Sequence, residues 1–123
     1  MSRTFAAWGG ILGFLAVALG AFGAHGLRER LSTESMAIYQ TGVQYQMAHA
    51  LALLLVAALA DKMRHTAIVG WLFVFGVAIF SGSLYVLAIT GQTWLGAITP
   101  FGGLCFLAGW AMLAYGAGRG PKG

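Results

Sequence analysis

Tyr39-Gln-Thr-Gly-Val-Gln-Tyr-Gln-Met-Ala-His49 runs without a break into Ala50-Leu-Ala-Leu-Leu-Leu-Val-Ala-Ala-Leu-Ala60. The second half is apolar on every side, as a helix in lipid must be. It is nevertheless too short to cross a bilayer, which takes about 20 residues. The polar half must therefore enter the membrane or its boundary. Ile38, Gly42, Tyr45, His49 and Ala52 recur at the helical period, which puts them on one predicted face. The helix is expected to start with Ser32 or Thr33 as N-cap and Glu34 in its first turn, where a carboxylate suits the helix dipole. Tyrosines, glutamines and a histidine carried into hydrocarbon need a reason. Either they tie helices together or they form a working site.

The rest of the chain supplies the setting. Of its 123 residues 59% are hydrophobic and 8% are charged, against about 25% charged in soluble domains. That composition belongs to an integral membrane protein. The chain is read as one membrane domain over residues 1–123, with room for four spans and short connections. The net charge of +4 does not indicate nucleic acid, because no basic stripe is interleaved with aromatics. Cys105 stands alone among Leu104, Phe106 and Leu107, which excludes an intrachain disulfide and reads as a small buried hydrophobe.

Outward from the opening stretch, the spans are expected near 5–24, at 45–60 within the helix starting near 33, at 67–89 and at 98–115. Ala21-Phe22-Gly23 weakly resembles a signal-peptide cleavage site, but the run before it already spans a bilayer, so a retained helix is expected. Gly9, Gly13 and Gly20 place small residues along that first helix, and Gly82, Gly102, Gly103 and Gly109 do so later; such positions let helices approach closely in lipid. Thr99 is expected to cap the last helix, with Pro100 at its first position, where a missing N–H does no harm. The polar connection His25–Leu31 and the charged turn Asp61–His65 separate the first three spans. Four spans put both termini and the 61–65 turn on one side. That side holds Arg3, Lys62, Arg64, Arg119 and Lys122, against Arg28 and Arg30 opposite. The excess of positive charge predicts cytoplasmic termini.

Depth follows from helix rise. Counted from Ala60 at the inner edge, His49 is about 16 Å deep, near the midplane, and Tyr45 about 22 Å. Counted from Ala67, Ser81 lies at about 21 Å and Tyr85 at about 27 Å. His49, Tyr45, Ser81 and Tyr85 form the candidate polar cluster in the outer half of the bundle, with His25 at the outer boundary. An ionisable group near the midplane is a functional candidate by default. The plainer alternative is interhelical hydrogen bonding, since a neutral imidazole needs only one partner on a neighbouring helix.

The chain lacks the patterns that would name a reaction. It has no His-Glu-x-x-His, no Gly-x-Ser-x-Gly, no P-loop and no dinucleotide fingerprint. Glu29, Glu34 and Asp61 all lie outside the apolar runs, so no carboxylate is available in the membrane for ion coupling or acid–base pairs. A haem on His49 would need a second ligand that the chain does not offer at that depth. No catalytic residue, cofactor or metal is expected.

Four segments in order carry a resemblance: Gly20-Ala-Phe-Gly-Ala-His-Gly-Leu27; Tyr39-x-x-Gly42-x-x-Tyr45-Gln-x-x-His49; Phe80-Ser-Gly-Ser-Leu-Tyr85; and Ile98-Thr-Pro-Phe-Gly-Gly103 with Gly109-Trp110. Together they resemble the YgdD/YwdK-type small inner-membrane proteins, a domain-of-unknown-function family. The resemblance implies a four-span inner-membrane protein and no particular activity. The expectation is thus an all-α transmembrane four-helix bundle that contacts the lipid bilayer and either itself or other membrane subunits. Its expected role is that of a non-enzymatic interaction or accessory subunit. The alternative is a small channel or carrier whose path passes the cluster around His49.

Overall fold

In hydrocarbon every backbone N–H and C=O must find its partner within the protein, which restricts a single chain to helices or a closed barrel. The computed structural model, which describes residues 2–121, takes the first solution: among those residues there is no strand. Four helices are each long and apolar enough to cross a membrane. They are α1 (Ser2–Phe22), α2 (Thr33–Leu59), α3 (Thr66–Thr90) and α4 (Thr99–Ala117). Lys122, counted in the charge balance above, lies outside the described residues.

The connections are more helical than the sequence suggests. Gly23–Leu27 continues α1 as a π-helical turn, and Thr93–Ala97 forms a 3₁₀ turn ahead of α4. Ser32 serves as the N-cap of α2, its Oγ accepting the Ser35 N–H at 3.1 Å. Thr99 is not a cap. It already lies within α4, after Ile98, and its hydroxyl bonds elsewhere. The preceding 3₁₀ turn supplies carbonyls in the place of a side-chain cap, and the Leu95 carbonyl receives the N–H of Ile98 at 3.0 Å.

Neighbours in sequence are neighbours in space: α1 packs along α2, α2 along α3, and α3 along α4. The two middle helices form the core pair. Their buried residues include Leu53, Val56, Val69, Phe73 and Val77, while α1 and α4 lie outside and keep broad apolar faces exposed at Phe14, Val17, Phe101 and Leu107. The first turns of α1 reach the start of α3, and the end of α4 reaches the turn between α2 and α3. Phe5 fills the space beside Gly70 and sets its ring edge-on to Trp71 at 5.4 Å, and Gly116 lies against the Arg64 carbonyl.

Glycines set the spacing between helices. A Cβ at Gly9 would stand 2.9 Å from the Ala50 carbonyl oxygen, and one at Gly102 would stand 2.7 Å from the Phe80 Cα. At Gly109 it would run into the Phe73 ring. Gly13 and Gly20 make only ordinary contacts, to Ala50 and Val43. Two positions expected on packing faces are corrected: Gly82 has nothing within 4 Å, and Gly103 reaches only the far edge of the Phe80 ring at 3.9 Å. Each is one residue from a position that does pack, and one residue turns a helix by about 100°. Gly42 and Gly76, which the small-residue pattern of the sequence did not single out, are tight against Tyr85 and Phe106.

Candidate functional site

The face that α2 turns inward carries Tyr39, Gly42, Gln46, His49, Leu53 and Val56. Their alternating spacing of three and four residues is that of a helix docking along its length. The expected face is therefore rotated by one position at two places. Tyr39 replaces Ile38 and Gln46 replaces Tyr45. Tyr45 stands at the edge of the bundle, 45% exposed, with its ring centroid 4.8 Å from that of Phe80 and 6.2 Å from that of Phe106.

Gln46 joins three helices. Its Nε2 donates to the Leu12 carbonyl of α1 at 2.9 Å, and its Oε1 accepts the Tyr85 hydroxyl of α3 at 2.6 Å. A glutamine amide carries donors at one end and an acceptor at the other, so one side chain satisfies both neighbours. The Leu12 carbonyl is already inside α1, and the second bond uses its remaining lone pair. About two turns away along α2, Tyr39 donates to the Leu19 carbonyl at 2.6 Å. Tyr39 and Tyr85 lie ring to ring at 5.3 Å. Ser81, fully buried, donates to the Gly42 carbonyl at 2.7 Å. That short reach exists because Gly42 has no side chain to hold α3 away; a Cβ there would stand 2.7 Å from the Tyr85 ring.

His49 forms a separate tie, toward α4. Its Nδ1 is 2.7 Å from the Tyr45 carbonyl, and its Nε2 accepts the Trp110 indole N–H at 3.0 Å. Indole nitrogen can only donate and a carbonyl can only accept. The ring is therefore neutral, with its proton on Nδ1. A doubly protonated ring could not accept the Trp110 bond. Aromatics enclose it: Phe106 stacks at 3.7 Å and 9°, and Phe73 and Trp110 approach edge-on at 5.1 and 5.9 Å. Ser83 and Thr99 add a third tie, α3 to α4, at 2.6 Å.

The expected cluster thus divides. Ser81 and Tyr85 meet α2 through Gly42 and Gln46, while His49 faces Phe106 and Trp110. Tyr45 contributes its backbone carbonyl and its ring to the His49 side. His25 sits exposed in the π-helical turn, away from these bonds. Three participants were not named as site residues from sequence. Tyr39 and Gln46 were readable from the three-and-four spacing of the buried face. Trp110 enters the sequence reading only through the Gly109-Trp110 segment, and nothing in its local sequence pairs it with His49. Among the described residues no fully enclosed side-chain nitrogen or oxygen is left without a partner, and no group of His, Cys, Asp and Glu side chains gathers in the number a metal site needs.

Comparison with known proteins gives the arrangement a family. The family described as protein of unknown function (DUF423) matches residues 19–103, the segment that holds Tyr39, Gln46, His49, Ser81 and Tyr85. The UPF0382 membrane protein YwdK of Bacillus subtilis is 48% identical over 118 residues, covering 94% of this chain and 96% of the relative. The UPF0382 inner membrane protein YgdD of Escherichia coli is 44% identical over 121 residues, covering 96% and 92%. A UPF0382 membrane protein of Haemophilus influenzae is 47% identical over 108 residues, covering 85% and 86%. No solved structure matches. With four membrane-length helices and relatives this similar along nearly their whole length, the chain is a membrane protein that belongs to the DUF423 family.

Proposed function

We propose that this protein is a non-enzymatic subunit of the inner membrane, with both termini in the cytoplasm, that acts by docking to further copies of itself or to a larger membrane complex. The observation that carries this reading is the state of the polar groups. Every fully enclosed side-chain nitrogen and oxygen among the described residues is already bonded within the chain. A group that binds a solute or moves a proton needs free capacity for it. Here the Gln46 amide spans Leu12 and Tyr85, and both ring nitrogens of His49 are engaged. Such bonds hold a bundle in register, each contributing about 0.6 kcal/mol on average in lipid. The lipid-facing sides of α1 and α4 then remain as the surfaces through which the bundle could meet a partner.

The inner-membrane assignment follows the Escherichia coli relative, which is an inner membrane protein by name, and the orientation follows the excess of Lys and Arg at the end that holds the termini. Flux in proteoliposomes tests the role of the cluster. The expected result is no transport of small cations, anions or protons above empty vesicles, with His49→Ala indistinguishable from the native chain. A flux that His49→Ala abolishes would overturn the docking role and establish the carrier alternative.

A further inference from the structure

At the end of the bundle that holds both termini, α3 starts without any of the usual devices for covering a helix N-terminus. His65 stands at the cap position in the left-handed conformation, with φ 65° and ψ 15°, and its side chain makes no capping bond. No acidic residue lies in the first turn. Val69 is the first residue whose N–H returns to the backbone, reaching the His65 carbonyl at 3.1 Å. The N–H groups of Thr66, Ala67 and Ile68 have no acceptor among the described residues. Unbonded amides and the aligned peptide dipoles make such an end electropositive.

Thr66 adds an independent observation. Its side chain is buried, with 8% of the residue exposed, and it lines a cleft of about 560 Å³ together with Asp61, Arg64 and His65. Its hydroxyl has no hydrogen-bond partner among the described residues, although every fully enclosed polar side-chain atom there has one. The hydroxyl is therefore not fully enclosed, and the cleft is the opening that Thr66 lines. Arg64 also lines the cleft, and its backbone carbonyl lies against Gly116 of α4, where no side chain intervenes. Near this end of the bundle Arg119 lies over the Tyr115 ring at 4.1 Å, and the His65 ring, which lines the cleft, is 5.8 Å from the same tyrosine. Asp61 is the one carboxylate that lines the cleft.

We propose that this cleft binds a phosphate group, presented by the headgroup of an anionic phospholipid at that surface of the bilayer. Free helix N–H groups, a hydroxyl and a guanidinium are the donor set that phosphate oxygens accept from. The position suits a headgroup, because the apolar run of α3 begins at Ala67 and the cleft lies just outside it.

The test titrates the full-length protein, in a neutral detergent, with dihexanoyl phosphatidic acid, dihexanoyl phosphatidylcholine or inorganic phosphate, and follows thermal protection. Saturable protection by phosphatidic acid is expected. Thr66→Val, which keeps the shape and removes the hydroxyl, should weaken it by at least about tenfold, as should Arg64→Gln, since each removes a hydrogen bond to a charged group. Thr66→Ser should retain it, and Asp61→Asn should tighten it. Inorganic phosphate acting alone with the same dependence on Thr66 would support the phosphate site and identify a free anion as its source. Protection that phosphatidylcholine matches, or that Thr66→Val leaves unchanged, would overturn the proposal and reduce the effect to acyl-chain binding or general charge attraction.

Discussion

Gln46 carries more of the helix-to-helix bonding than any other side chain in the bundle, because one amide reaches both α1 and α3. Gln46→Leu keeps the bulk and removes both bonds, leaving the Tyr85 hydroxyl without its acceptor in a dry interior. The expected cost is about 1–2 kcal/mol. Tyr85→Phe removes a single bond and should cost about 0.6 kcal/mol. The two changes act on the same contact, so the double variant should be less destabilised than their sum; reversible unfolding in mixed micelles measures all three. Strict additivity would mean that the 2.6 Å bond between them contributes nothing. Residue types in the sequence announced that polar groups enter the membrane here, but not how they pair. Tyr45 and Gln46 are adjacent, and a small rotation of α2 decides which one points inward. The packing of Tyr39 and Gly42 against Tyr85 decides it in favour of Gln46.

Helices meet where glycine lets one backbone approach another. Gly102→Ala would press a methyl group into the Phe80 backbone, and backbone cannot swing aside as a side-chain tip can. Separating α3 from α4 there should cost about 1–3 kcal/mol, read as lost thermal stability and weakened Ser83–Thr99 contact. Gly82→Ala, in open space, should cost nothing. A stability loss at Gly82 equal to that at Gly102 would contradict this account of the α3–α4 contact. Element by element, the apolar runs and the Ser32 cap were legible in the chain, since both rest on local chemistry. The π-helical turn at Gly23–Leu27 was not. It depends on Gly23 fitting against the Tyr39 ring and Gly26 against Phe22, and the first of these contacts is with a different helix. The α4 boundary moved for a similar reason: the Thr99 hydroxyl is engaged by Ser83 of α3, a partner far away in sequence.

Across the whole molecule, the charge pattern and the bonding pattern make separate demands. The basic residues Arg3, Lys62, Arg64 and Arg119 gather at the end of the bundle that holds the termini, and Arg28 and Arg30 flank Glu29 at the other. A fluorescent-protein fusion at the C-terminus should therefore mature and fluoresce in cells, while an alkaline phosphatase inserted after Arg30 should be active; the opposite pair of results would invert the orientation. The bonds, by contrast, close the interior and leave the outer faces of α1 and α4 for lipid or for partners. A docking role needs a partner that stays bound when the membrane is dissolved gently. Native mass spectrometry of the protein, expressed at its natural level and extracted in lipid nanodiscs, tests this most directly. The expected spectrum shows it as a defined multimer or in a fixed ratio with another membrane protein. A spectrum of monomer alone, with nothing else retained, would contradict the docking function.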